Sequence, residues 1–240
     1  MFLFEDESMC VLENTALSRG YRSIAGMDEA GRGALAGPVV AACVMLNPKL
    51  IPSGINDSKK LTDRRRRELY DLITTQALAF GVGTVGPDII DDINIYNATK
   101  LAMKRALLDL QSPPDFLLID AVKLYDISIS SISIPKGDEK SVSIAAASII
   151  AKVYRDDVMI TFAERYPEYR FSSHKGYGTA AHRDALKRYG PTELHRFSYS
   201  PVRESMRDGN QGHNPEKNSR KHIGSSNNRK HAPGKGSETA

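Results

Sequence analysis

Cysteine is scarce in this chain: of 240 residues only Cys10 and Cys43 are cysteines, and their spacing matches no metal-binding pattern. Cys43 lies in an apolar run and reads as a small buried thiol. Also missing is any apolar run near the roughly 20 residues that a membrane-spanning helix needs. The N-terminus carries Glu5, Asp6 and Glu7 where a secretory signal would carry basic residues. These absences lead us to expect a soluble, cytoplasmic protein with no membrane partner. A large charge excess is lacking as well. The formal charge is +4, and residues 208–240, with six Lys or Arg against three Asp or Glu, account for most of it. The remainder is nearly neutral, so a nucleic-acid partner has to be argued from local patches. Within those last residues Ile223 is the only aliphatic side chain besides alanine. The segment is expected to be a disordered basic tail with no evident motif for docking on a sliding clamp.

Hydrophobic residues make up 40% of the chain, enough for one sizeable core. One folded unit over residues 23–207 is expected, between a short extension (1–22) and the tail (208–240). Apolar runs at 24–27 and 39–46 read as buried strands joined by a Gly-rich connection. Thr62 is an N-cap candidate for a helix whose apolar stripe is Leu69, Leu72, Ile73 and Ala77. The run Arg64 to Arg67 on that helix should face solvent. A third strand is expected over 79–85, then a short helix over 89–93 and a longer one over 96–110, with Leu101, Met103, Leu107 and Leu108 in the core. Pro113 and Pro114 stop that helix before 116–120, an apolar run suited to a strand buried on both faces. Alternating Ser and Ile over 128–134 suggests a half-exposed strand, and the Ala- and Ile-rich stretch 143–154 a helix packed tightly on the sheet. Short helices follow. The order implies an α/β fold: a sheet of mixed direction covered on both faces.

Chemistry concentrates where apolar runs end. Asp28 and Glu29 close the first run and lead into Gly31-Arg32-Gly33, a flexible cationic turn. Side chains alternate across a strand, so two adjacent carboxylates reach one cation only if the strand stops near Glu29. The alternative is a solvated acidic loop with a spacer arginine. Asp120 ends a second apolar run, and Asp138 opens the region leading into the small-residue helix. Ligand sites in open α/β sheets form at strand ends. Three or four carboxylates gathered there repel one another unless divalent cations neutralise them, and oxygen-only donors favour Mg2+ or Mn2+ over zinc.

Six segments occur in order over residues 24–202: AGMDEAGRGALAGPVVAA, NDSKKL, LLIDAVKL, KGDEKSVSIAAASIIAKVYRD, HKGYGT and GPTELHRFSYSPV. In these the chain resembles bacterial ribonuclease HII. The resemblance implies an RNase H-like fold with a five-stranded mixed sheet and a helical C-terminal part. It implies Asp28, Glu29, Asp120 and Asp138 as metal ligands of a two-ion nuclease using Mn2+ or Mg2+. The substrates implied are RNA/DNA hybrids and duplex DNA carrying single ribonucleotides, cut 5' to the ribonucleotide by a monomeric enzyme of replication and ribonucleotide excision repair. Gly31, Arg32 and Gly33 match the element that grips the ribose 2'-OH, and Tyr177 the tyrosine that stacks at the junction. Ser58 and Lys59 match residues meeting backbone phosphates, although lysines there are equally ordinary solvated charges. The chain departs from the pattern at Ala121, where glycine is usual, and at Ala34, where proline is common. Asp156 is either a partner of Arg155 or a stray ligand, and Asp138 is preferred on motif position. His174, His182 and His195 read as hydrogen-bonded structural residues.

Overall fold

A computed structural model of the chain describes residues 9–209. Strands β1 (Ile24–Ala30), β2 (Val39–Met45), β3 (Ala79–Val85), β4 (Phe116–Asp120) and β5 (Ser130–Ile134) form one sheet in the order β3-β2-β1-β4-β5. β1, β2 and β3 pair antiparallel, whereas β4 is parallel to both β1 and β5. The mixed five-stranded sheet is thus as expected. The strand at β1 does not stop at Glu29: Asp28, Glu29 and Ala30 pair with Ala42, Ala41 and Val40 of β2. Pairing with β4 does end earlier, at Met27 opposite Ile119. The correction has a simple cause, since the apolar β2 carries its ladder past the point where the parallel neighbour runs out.

Helices cover both faces. In chain order they are α1 (Val11–Ser18), α2 (Asp63–Gln76), α3 (Pro87–Leu108), α4 (Val142–Arg165), α5 (Phe171–His174), α6 (Ala180–Tyr189) and α7 (Ser200–Gly209). α3 packs on Ala25, Met27, Ala41, Cys43, Leu117 and Ile119, and α2 and α4 on Ala30, Ala42 and Val44. α5, α6 and α7 enclose a smaller core around Met159, Tyr169, Phe171, Leu186 and Val202. None of the described helices is long and apolar enough to cross a membrane. The expected tail lies outside the described residues, except that α7 runs to Gly209.

Thr62 caps α2 by accepting from the Arg65 amide, as its sequence suggests. Two readings on that helix need correction. Leu72 is 38% exposed, and Arg66 is buried, donating to the carbonyls of Ser58 and Leu61. α3 joins the two expected helices across a break at Asn94 (φ 64°), whose side chain accepts from the amides of Tyr96 and Asn97 and so caps the second half. Leu108 is 85% exposed and not core, because Ala102, Met103 and Ala106 already take the sheet-facing side and Leu108 falls opposite them at helical spacing. α1, from a segment with little periodic signal, is pinned to α4 through the buried Glu13. Its Oε1 accepts from Ser141 Oγ (2.6 Å) and from the Ser143 amide (3.0 Å).

The backbone of α4 rests directly on β1. A Cβ on Gly26 would fall 2.0 Å from the Ser143 carbonyl carbon, so only glycine lets the helix backbone rest on the strand. Gly26→Ala is expected to destabilise the fold by about 3 kcal/mol through overpacking, read as a lowered thermal midpoint. Ala121 holds a left-handed φ of 48° where β4 leaves the sheet. Ala121→Gly should raise the midpoint slightly, because relief of about 1–2 kcal/mol of left-handed strain is partly offset by the added freedom of glycine in the unfolded chain.

Candidate active site

Four carboxylates converge at the end of the sheet where β1 and β4 part. Asp28 shares the α4-facing side of β1 with Gly26 and Ala30, while Glu29 shares the opposite side with Ala25 and Met27. The pair straddles the strand just beyond the point where β4 pairing ends. Asp120 closes β4 and accepts from the Gly137 amide (2.7 Å). That bond draws in a short 3-10 turn, Gly137–Glu139, whose Asp138 is buried just before α4 begins. Asp138 therefore arrives from the turn that precedes the helix.

The four share one electrostatic field. Burial pushes the Asp28 carboxyl well above its usual range, and the charges of Glu29, Asp120 and Asp138 push it further. Glu29 is raised by burial against the pull of Arg32, and Asp120 is raised by burial with Asp138 adding to it. Each carboxylate also has its own local partner. Asp28 Oδ1 accepts from the Glu29 amide (2.7 Å), Glu29 Oε1 from Arg32 (3.2 Å), and Asp138 Oδ2 from Lys59 Nζ (3.1 Å). In this arrangement no three His, Cys, Asp or Glu side chains among the described residues close into a coordination shell. The donor set still fits a hard divalent cation. It is oxygen only, its charges repel, and Glu29 Oε2 is buried with no hydrogen-bond partner.

Beside the carboxylates lies the loop from Gly31 to Pro38. Gly31 has φ 96°, and a Cβ there would meet Arg155 Nε at 2.0 Å, so both conformation and space require glycine. The loop is stitched to the Tyr177 turn: Ala34 bridges Tyr177, and the Gly176 carbonyl accepts from the amides of Leu35 and Ala36. The expected reader elements, Gly31, Arg32, Gly33 and Tyr177, are thereby neighbours. Arg32 and Gly33 are exposed, and Tyr177 is 36% exposed. Ser58 is buried, its amide donating to Ser148 Oγ, while Lys59 is exposed and reaches Asp138.

Three histidines anchor Tyr177 from behind. The Thr192 amide donates to His195 Nδ1 (2.9 Å), which leaves the His195 proton on Nε2. That proton goes to His182 Nε2 (3.0 Å), and His182 Nδ1–H then donates to the Tyr177 carbonyl (3.0 Å). His174 stacks on His182 and accepts from the Gly176 amide. All three fit neutral tautomers, in keeping with the structural role read for them.

Asp156 is not the salt-bridge partner of Arg155, one of the two readings offered for it. Asp156 pairs with Lys152 (2.7 Å), one turn earlier on α4, and Arg155 turns inward to the carbonyls of Ala36 and Pro38. Asp138 is among the charges that raise Asp28. The buried Arg155 and Arg196 escaped the sequence reading because charge in a sequence reads as solvent-facing. The available signal was an arginine within an Ala- and Ile-rich helix.

Residues 25–202 match the family model described as Ribonuclease HII. A curated relative named Ribonuclease HII from Acetivibrio thermocellus is 55% identical over 192 residues, 80% of this chain and 75% of that protein. Another of the same name, from Chlamydia trachomatis, is 54% identical over 209 residues, covering 86% of this chain and 94% of its own length. The crystal structure of the ribonuclease H2 from Pyrococcus horikoshii superposes with a TM-score of 0.67 at 26% identity, covering 78% of this chain and 98% of that one.

Burial holds His182 down to about 4 and His195 down to about 3. Both are neutral in the folded protein, whereas in the unfolded chain they protonate near pH 6.5. Their contribution to stability is therefore complete above about pH 6.5 and is lost as pH falls through the folded values. Imidazole 15N shifts recorded at pH 5.5 should show both rings neutral; a midpoint near 6.5 for either would contradict the buried chain.

Proposed function

The chain belongs to the ribonuclease HII family, hydrolases of the ribonuclease H type that act on RNA/DNA hybrids, and from this we propose that it also nicks duplex DNA at single ribonucleotides. The cut falls 5' to the ribonucleotide and leaves a 3'-OH and a 5'-phosphate. The observation that carries this reading is the junction of two features: a four-carboxylate field with Asp28 and Asp138 buried and, joined to it by Arg32, a loop bonded to the Tyr177 turn.

Asp28, Glu29, Asp120 and Asp138 would hold two divalent cations, Mn2+ or Mg2+, which when bound supply activation of the attacking water and neutralisation of the leaving 3' oxygen. The remaining work falls to the chain itself. Arg32, hydrogen-bonded to Glu29, stands where ribose and carboxylates meet. The amides of Arg32 and Gly33 have no acceptor among the described residues, so both remain available to a phosphate or a 2'-OH. The 2'-OH separates RNA from DNA, so selectivity belongs to this loop. The exposed face of Tyr177 offers a stacking surface for the neighbouring sugar and base. Lys59, beside Asp138, suits a phosphate contact that carries no sequence information. A monomer acting on hybrid or ribonucleotide-containing duplex completes the reading.

Purified protein is expected to nick a DNA duplex bearing one ribonucleotide and to stop when EDTA is added. Asp28→Asn should lower the rate by about a hundredfold or more. Arg32→Ala should chiefly weaken discrimination of the ribonucleotide. A nicking rate unchanged in Asp28→Asn would show that the chemistry lies elsewhere.

A further inference from the structure

Two arginines lie beneath the Gly31 to Pro38 loop. Arg155, on α4, and Arg196, following His195, are both 0% exposed. Neither forms an ion pair among the described residues. Burial pushes the Arg155 guanidinium down to about 10 and lowers that of Arg196. A buried cation without a counter-charge opposes folding. Two of them under one loop therefore need a reason other than stability.

Their donors supply one. Arg196 gives Nη2 to the Gly31 carbonyl (2.7 Å), Nη1 to the Arg32 carbonyl (2.8 Å), and both Nε (3.1 Å) and Nη2 (2.9 Å) to the Gly37 carbonyl. Arg155 gives Nε to the Pro38 carbonyl (2.9 Å) and Nη2 to the Ala36 carbonyl (3.2 Å). Five carbonyls of one loop are thus drawn inward onto two planar forks. The amides of Leu35, Ala36 and Gly37 are spent on Gly176 and Leu194, which leaves those of Arg32 and Gly33 without an acceptor among the described residues. Added side-chain bulk at Gly33 would meet nothing within 4 Å, so the outer side there is open. Arg155 also lies under the Tyr177 ring, its Cζ 5.2 Å from the centroid, and its Nη1 has no hydrogen-bond partner.

We infer that Arg155 and Arg196 are positioning residues for ribonucleotide recognition: they turn the loop's carbonyls away from the substrate, present the Arg32 and Gly33 amides to it, and, through Arg155, hold loop and Tyr177 as one body. The inference rests on the ribonucleotide-recognition reading above. A lysine in either place keeps the charge but cannot span several carbonyls at fixed geometry.

The test uses the full chain. KM and kcat are measured for nicking of a duplex with one ribonucleotide, and Ki for the same duplex made wholly of DNA, used as competitor. Folding is followed by circular dichroism and thermal midpoint. In Arg155→Met and Arg196→Met, KM for the ribonucleotide substrate should rise about tenfold or more, since small misplacements of a binding element are amplified. Ki for all-DNA duplex should stay within about twofold, because phosphate contacts are indifferent to the sugar. The lysine variants should not restore KM. Folded methionine variants with unchanged KM would overturn the inference. If those variants do not fold, the lysine variants decide: a raised KM upholds it and a wild-type KM overturns it. Failure of the wild-type protein to nick would instead remove the functional reading itself, while a wild type that nicks alongside indifferent arginine variants removes only the role of the arginines.

Discussion

The contact on which the molecule depends is the rest of α4 against β1 at Gly26, backbone to backbone. Because the helix lies so close, its N-terminal end and its middle serve different parts of the site. The N-terminal end follows directly from the turn bearing Asp138, and Ser141 caps it by accepting from the Ile144 amide (3.1 Å). Further along, Lys152 and Arg155 stand under Tyr177, and Arg155 also holds the loop that leaves β1. One rigid rod thus sets the distance between the carboxylate field and the element proposed to recognise the ribose. A shift of the helix would move both together.

The carboxylates and the buried guanidinium groups occupy different places in the site. Carboxylates gather at the notch between β1 and β4, and burial raises three of them. Guanidinium groups lie beneath the Gly31 to Pro38 loop, fixed by carbonyls and not by acids. An anionic backbone laid across this surface meets exposed Arg32 and Lys59 on the one hand and, through the carboxylates, a need for cations on the other. Such an arrangement orients charge before any ligand arrives, and fixed charges of this kind lose little to reorganisation.

How much of this was legible in the sequence depends on the kind of residue. The acids Asp28 and Asp120 stood out because an apolar run that stops at an acid combines two signals, and the ordered motifs pointed to Asp138, Gly31 to Gly33 and Tyr177 as candidates, which the fold brings near them. The extension of β1 to Ala30 could not be read, since it depends on how far β2 reaches, a pairing across the chain. Leu108 misled because apolar character was taken without its phase against Met103 and Ala106. Arg66, Arg155, Arg196 and Glu13 were missed for one shared reason. A buried charge is identified by the carbonyls or hydroxyls that meet it; for Glu13, Arg155 and Arg196 those partners come from distant segments, and for Arg66 from the loop just before its helix.

The sheet's mixed direction has a further consequence at β1. Its last residues are hydrogen-bonded to β2 on one edge while the other edge, toward β4, is already free. The two acids there stand on a ledge of ordered main chain. Ligand capture at such a ledge requires only side-chain rotamers to settle, so the entropy surrendered on binding is that of a few χ angles and not of a loop. A mobile acidic loop of the same composition would surrender backbone freedom each time it closed, and with it part of its affinity.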